Sequence, residues 1–539
     1  MVDTEANPRS LPAVPANQAL LSGDRFGRRL DWGLLLAALF AAFAIGPLLY
    51  PGFFYSHRGL FAPYEVVGLS QAPAASWLPT LAGDPSLSQG PLPYWAARLL
   101  LFAGIAPTGA IKVIFAVSMI AATTGAYVLT RRLARPTNDE PGPVSWPGLV
   151  AAATVGGLPF LAGLVYARGN LAEAWTLGLL PWALWSSLAS TRLVDGEREP
   201  ALVPIIVGAA LWAAAGLGNV GLTIAGLVLL AVLRPRREGW AGPSGGLVLA
   251  GALWAVIAAR QPLSFALGPV APLDLQQVFS PVVSDALRPR DGLTVSLGPV
   301  AALALLLTLS PLGARRPVGL AVFALIAITA SLAVTSPVWE RMPALVSQPY
   351  QLLGAAGLAL ALAAGLLLQA FHQARPMAAA AISVLALVAG SPAFTFQPVA
   401  VQEPTAFNPY LVDGNIVLLE SGLQAGDARP GGSVVVLLVW QGRAPVGRNL
   451  TVFTHLQDQA HVVVAQHDGP PVDGRRPTSG WRQGEALVDF HQIQIPADLP
   501  PGRYQVVAGM YVPATGDRVG MLANGRTSDA ILLGEVEIR

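Results

Sequence analysis

Hydrophobic and polar positions are laid out on two different scales along this chain. Through residues 33–389 the apolar positions come in long blocks bounded by arginines, and through residues 401–539 they come in short runs separated by Gly, Pro and Asp. The blocks at 33–50, 110–130, 146–166, 171–188, 246–259, 295–309, 318–334, 354–371 and 377–389 read with their flanks as membrane-crossing helices, for which about 20 apolar residues suffice. The block at 201–233 is too long for one crossing and is interrupted by Gly216, Gly218 and Asn219, which predicts a helical hairpin. The expectation is a polytopic α-helical membrane protein with about eleven transmembrane helices.

Arginines set the direction. Arg25, Arg28 and Arg29 precede the first block, Arg131, Arg132 and Arg135 follow the second, and Arg192, Arg198, Arg234, Arg236, Arg237, Arg315, Arg316 and Arg375 fall at alternate turns after that. The positive-inside rule then puts the N-terminus in the cytoplasm and residues 396–539 outside. Residues 1–30 read as a disordered cytoplasmic tail, residues 31–395 as the transmembrane domain, and 53–107 as its first outer loop. Within that loop, 91–104 is too short to cross; it carries Tyr94, Trp95 and Arg98 beside a leucine face, the pattern of an interfacial helix.

The runs at 433–440, 450–456, 461–466, 486–495, 503–512 and 531–538 are strand-like. Arg429-Pro-Gly-Gly, Val472-Asp-Gly, Pro500-Pro-Gly and Ala514-Thr-Gly-Asp separate them, so the C-terminal part is expected to be an extracytoplasmic antiparallel β-sandwich.

Composition narrows the class further. With 53% hydrophobic and 12% charged residues the chain lies far from soluble globular proteins, in which about a quarter of residues are charged. A formal net charge of +2 gives no reason to expect a nucleic-acid partner, and the lack of cysteine excludes disulfides, thiolate metal sites and cysteine nucleophiles. The Ala, Gly, Pro and Arg bias looks like a high-GC bacterial genome, and a bacterial cytoplasmic membrane is the expected location.

Ionisable groups gather with aromatic residues in the first outer loop, as His57, Arg58, Glu65 and Asp84. Arg58 and His57 suit a lipid phosphate or a sugar, or anchor the loop among headgroups. Glu65 and Asp84 are the candidate general base and metal-binding carboxylates, against the plainer reading of solvated loop acids. Glu173 opens a span; a carboxylate in hydrocarbon is costly and faces a cavity or a partner, for which Arg168 is the candidate, against the plainer reading of a residue at the interface in water. Trp339, Glu340 and Tyr350 could line the same outer cavity or belong to an aromatic belt. His455, His461, His467 and His491 lack zinc-ligand spacing and read as solvent-facing strand residues, and Asp468 and Asp473 read as turn-shaping more than calcium-binding.

Several of these segments, taken in order, carry a resemblance. Ser56-His57-Arg58-Gly59, Trp77-Leu78-Pro79, Pro91-Leu92-Pro93-Tyr94, Arg168-Gly169-Asn170-Leu171-Ala172-Glu173, and Pro337-Val338-Trp339-Glu340 with Gln348-Pro349-Tyr350 resemble the GT-C-type glycosyltransferase superfamily. The likeness is to bacterial membrane proteins labelled with a pyruvoyl-tetrahydropterin-synthase-related domain. The C-terminal VFTHL, VAQHDGPP, PTSGWRQGE and LPPGRYQVVAGMY segments are similar to sandwich domains appended to such transferases in Chloroflexi-like bacteria.

The resemblance implies sugar transfer from a polyprenyl-phosphate donor at the outer face of the membrane, with a first-loop carboxylate as base or metal ligand. It assigns Glu65 and Asp84 to catalysis, and His57, Arg58, Arg168, Glu173, Trp339, Glu340 and Tyr350 to substrate binding. A divalent cation is the cofactor it implies. Membrane lipid is a partner, and the sandwich is expected to contact an envelope glycan or protein. Two positions depart from the pattern: Arg58 stands where the family carries an acid, and Gln351 where it carries an arginine. Arginine cannot accept a proton from an acceptor. The alternative is a catalytically degenerate scaffold or accessory subunit of an envelope complex.

Overall fold

The computed structural model describes residues 31–53, 62–63, 66–67, 90–134, 144–194, 197–233, 240–260, 273, 275–279, 296–309, 317–339, 349–368, 375–390, 410–412, 416–442, 446–481, 486–523 and 526–539. It is mostly helical up to residue 390 and built of β-strands after residue 410. The expected tail at 1–30 lies outside the described residues.

Among the described residues, four helical stretches are long and apolar enough to cross a membrane: Trp32–Leu49, Pro107–Leu133, Ala241–Ala259 and Pro349–Leu367. Trp146–Gly156 and Pro159–Tyr166 make a fifth if taken together, bent by 43°. The sequence predicts a single block there. The bend follows from Pro159, which has no N–H to donate to the preceding turn, and from Gly157, where an added Cβ would lie 1.9 Å from the Ala386 carbonyl oxygen. Leu92–Phe102, Leu202–Gly216, Val220–Leu233, Gly298–Leu309, Val318–Ser331 and Pro376–Val388 are apolar but shorter, 10–17 residues each. The 201–233 block divides as its glycines predict, and Asn219 caps the second half by accepting from the Leu222 N–H at 2.9 Å.

Polar contacts sort the helix termini into two ends. At one, the Asp31 carboxylate accepts from the Tyr127 hydroxyl at 2.8 Å and pairs with Arg131, and the Ser145 N–H donates to the Tyr127 hydroxyl at 3.1 Å. Arg132 donates to the Leu188 carbonyl at 2.7 Å at this end, and the β1–β2 hairpin (Thr191–Val194 and Glu197–Pro200) follows just beyond. At the other end, Lys112 donates to the Tyr50 carbonyl at 2.7 Å and the Tyr166 hydroxyl to the Ala44 carbonyl at 2.5 Å. The helix hairpin tip is there too, because the Gly90 N–H donates to the Gly218 carbonyl at 2.6 Å just before the Leu92–Phe102 helix begins. That helix buries Pro93, Tyr94 and Ala97 and exposes Leu99 and Phe102, as an amphipathic segment should.

The C-terminal strands are β3 (Tyr410–Val412), β4 (Ile416–Asp427), β5 (Ser433–Gly442), β6 (Thr451–Gln457), β7 (Val463–Gly469), β8 (Ala486–Gln494), β9 (Gly502–Tyr511), β10 (Met521–Ala523), β11 (Arg526–Ser528) and β12 (Ile531–Ile538). They form two antiparallel sheets, ordered β11-β10-β3-β4-β5-β8 and β12-β9-β6-β7. Val434, Val436, Leu438 and Trp440 of one sheet and Val452, Leu456, Val506 and Met510 of the other belong to one apolar cluster.

The SVVVLLVW run does not alternate, and its environment explains why. Leu437, between those inward positions, is buried in the helical core, with Phe490, its cross-strand partner on β8, packed against that core. A strand covered on both faces needs apolar residues at every position.

Candidate functional site

The ion-pair centre grows out of one irregular turn. Gly163–Arg168 winds as a π-helix, a form that concentrates at functional or strained points of helices. Gly169 then takes φ 62°, a left-handed conformation that favours glycine, and reverses the chain. Asn170 caps the next helix, Leu171–Ala189, accepting from the Glu173 N–H at 3.1 Å. The cap places Glu173 in the first turn of its helix, opposite the end of the π-helix that carries Arg168.

The two side chains meet in the fork-to-fork arrangement. Arg168 Nη1 donates to Glu173 Oε2 at 2.9 Å and Nη2 to Oε1 at 3.0 Å, with Arg168 4% and Glu173 0% exposed. The guanidinium carbon lies 4.7 Å from the Phe160 ring centre and 5.0 Å from that of Tyr350, within cation–π range of both. Gln351 is buried and its side chain hydrogen-bonds to Glu173. The Arg168 Nε is buried with no hydrogen-bond partner among the described residues. Tyr166, two residues before Arg168, ties this centre to the end of the bundle where Ala44 and Tyr50 lie.

Three of the sequence-predicted site residues, Arg168, Glu173 and Tyr350, are therefore brought together. Trp339 is anchored separately, its indole donating to the Ala330 carbonyl at 2.7 Å. His57, Arg58, Glu65, Asp84 and Glu340 lie outside the described residues. Gln351, singled out in the sequence as a departure from the resembled pattern, turns out to contact the carboxylate, so the position where an arginine was expected faces Glu173. Chemically the centre is a neutral, desolvated pair. Two of the five guanidinium N–H donors are committed to Glu173, and the pair as a whole carries no net charge.

A second polar cluster lies in the β region, and it corrects the reading of the histidines as solvent-facing. His491 is 2% exposed, Asp489 1% and His455 7%, and His467 is half-buried; His461 is exposed as expected. Asp489 Oδ1 accepts from the Val472 N–H at 2.8 Å, and its Oδ2 lies 2.9 Å from His491 Nε2. His491 Nδ1 lies 2.9 Å from His467 Nδ1. The signal was present in β8: Asp489 and His491 share parity with Leu487 and Ile493, the core-facing positions. Asp473 shapes its turn, at φ 52° beside Val472 at φ 55°.

His455 sits on the other face of β6, stacked against Phe453, with Asp468 Oδ1 3.3 Å from its Nε2. Burial lowers the His455 pKa, the Asp468 charge opposes that shift, and Arg518 adds to it. Burial and the Asp468 charge raise the Tyr511 pKa. Among the described residues no group of three His, Asp or Glu side chains is arranged to hold a metal ion.

No protein-family model, curated protein or solved structure matches this chain.

Proposed function

We propose that this chain is an eleven-span membrane protein whose two C-terminal sheets form an outward-facing β-sandwich, and that it transfers a sugar from a polyprenyl-phosphate donor at the outer face. The observation that carries the reading is the convergence of Arg168, Glu173 and Tyr350, from two segments far apart in sequence, at the end of the bundle from which the 53–107 loop departs. The arginine-bearing turns at 131–132 lie at the opposite end, which supports the cytoplasmic assignment of that end.

In this reading the Arg168–Glu173 pair fixes the site, and the chemistry belongs to residues of the 53–107 loop. Glu65 and Asp84 would supply the base and would hold a divalent cation, whose charge would offset that of the phosphate leaving group. His57 and Arg58 contact the phosphate, and Trp339, Glu340 and Tyr350 border the sugar. The test is transfer of radiolabelled sugar from a polyprenyl-phosphate donor by the full chain in lipid nanodiscs. Replacing Glu65 or Asp84 with Ala is expected to lower the rate by about 10²-fold or more. Undiminished transfer in both variants would overturn the assignment.

Two observations favour a second reading, a non-catalytic accessory subunit: the Glu173 carboxylate offsets the Arg168 charge that a donor phosphate would need, and Arg58 stands where an acid is expected. Failure of the unmodified protein to transfer sugar, together with stoichiometric recovery of an envelope partner lost on removing residues 396–539, would select it.

A further inference from the structure

The two sheets of the C-terminal region share a core, and along one side of it the strands facing each other across the gap are β7 and β8, each the edge of its sheet. His467 is in register with Thr454, whose neighbours Val452 and Leu456 point into the core, so His467 points inward as well. His491 and Asp489 are in register with the core residues Val436 and Leu438. All three polar side chains thus enter the inter-sheet space at its edge and close it. His467 is the member nearest solvent.

The hydrogen positions follow from the acceptors. The Asp489 carboxylate has no hydrogen to give, so His491 Nε2 donates to it, and the neutral His491 ring presents a lone pair at Nδ1. The contact of 2.9 Å with His467 Nδ1 then requires the hydrogen to be on His467. The ring centres stand 5.1 Å apart, which sets the two nitrogens head-on. The geometry is that of a shared proton.

We infer that this Asp489–His491–His467 chain is a proton-operated clasp between the two sheets, which also holds the strained Val472–Asp473 turn. Once His491 gains a proton at Nδ1, two N–H groups oppose each other at 2.9 Å and the contact breaks. Asp489 is then drawn toward a charged imidazole and away from the Val472 N–H, the hydrogen bond that keeps a β-branched residue at φ 55°. Among the described residues, the charged groups near these elements include Asp473, Arg475 and Arg476 on the turn and, on the outer face of β6 and its neighbours, His455 with Asp468, Tyr511 and Arg518. A proton on His491 is thus what opens the clasp, and acid is the condition that supplies it. Opening frees the segment that carries Arg475 and Arg476.

Hydrogen exchange of the full chain in lipid nanodiscs tests this at about pH 7.5 and about pH 5, with rates corrected for the intrinsic effect of pH. Peptides covering 463–481 and 486–495 are expected to exchange about tenfold or more faster at the lower pH, with the 502–511 strand changing much less. In His467→Gln, whose amide can still donate to His491 but does not titrate, the acid response of both peptides is expected to fall by at least about half, whereas His461→Gln responds as the unmodified chain does. An unmodified chain with no acid response in these peptides, or a response that His467→Gln leaves unchanged, would overturn the clasp.

Discussion

The helical and β regions each bury a polar cluster, and they do so by opposite means. In the helical region Arg168 and Glu173 cancel each other in one bidentate contact, roofed by Phe160 and Tyr350 and closed to solvent. In the β region Asp489 passes its interaction through the His491 ring to His467, which is only half-buried. Two fixed charges can leave water only as a pair, because an ion alone costs several kcal/mol to bury. A chain of imidazoles can carry a carboxylate's influence to the surface one proton at a time. The first cluster is therefore suited to holding a shape, and the second to changing one.

The sharpest way to break this contrast is to remove one partner of the fixed pair. Glu173→Ala leaves a buried, unpaired guanidinium and is expected to cost about 3–5 kcal/mol, read from reversible unfolding of the full chain in mixed micelles. Asp489→Ala leaves the Val472 N–H and the His491 Nε2–H without acceptors. It is expected to cost about 1–3 kcal/mol, seen as a lower thermal midpoint of the β region while the helical transition stays in place.

Val472→Gly sharpens the contrast from the other side. It relieves a left-handed conformation that costs a β-branched residue about 1–2 kcal/mol, less the added freedom of glycine in the unfolded chain, so a gain of roughly 0.5–1 kcal/mol is expected. His455 gives the smallest effect and a sign. Its pKa is lowered by folding, so its contribution to stability is present above its unfolded value near 6.5 and is lost as pH falls below that. His455→Asn should flatten the acid limb of the β-region stability profile without moving its neutral plateau.

Much of this was legible in the chain, for identifiable reasons. The Asn170-x-x-Glu173 spacing is a helix-start signal, and Gly169 before it marks the reversal, so the pairing of Arg168 with Glu173 followed from local chemistry alone. Gly216, Gly218 and Asn219 announced the hairpin because each breaks or caps a helix. The long β4 strand was not read, since Leu418, Glu420, Gly422 and Gln424 follow no clean alternation and two register shifts interrupt its pairing with β5. The histidines were misread because their spacing was compared with metal motifs, while the alternation of β8 already turned His491 inward. The contact of Tyr350 with Arg168 joins residues far apart in sequence, and no local pattern encodes it.

The double-mutant cycle between Arg168 and Glu173 bears most directly on the site as described, because every functional reading rests on that end of the bundle being held by a closed ion pair. With Arg168→Met, Glu173→Leu and the double variant unfolded under the same conditions, the pair predicts a coupling of about 2–3 kcal/mol and a double variant more stable than either single one. A coupling below about 0.5 kcal/mol, with additive single losses, would mean that the two side chains act independently and that the centre is not a closed pair.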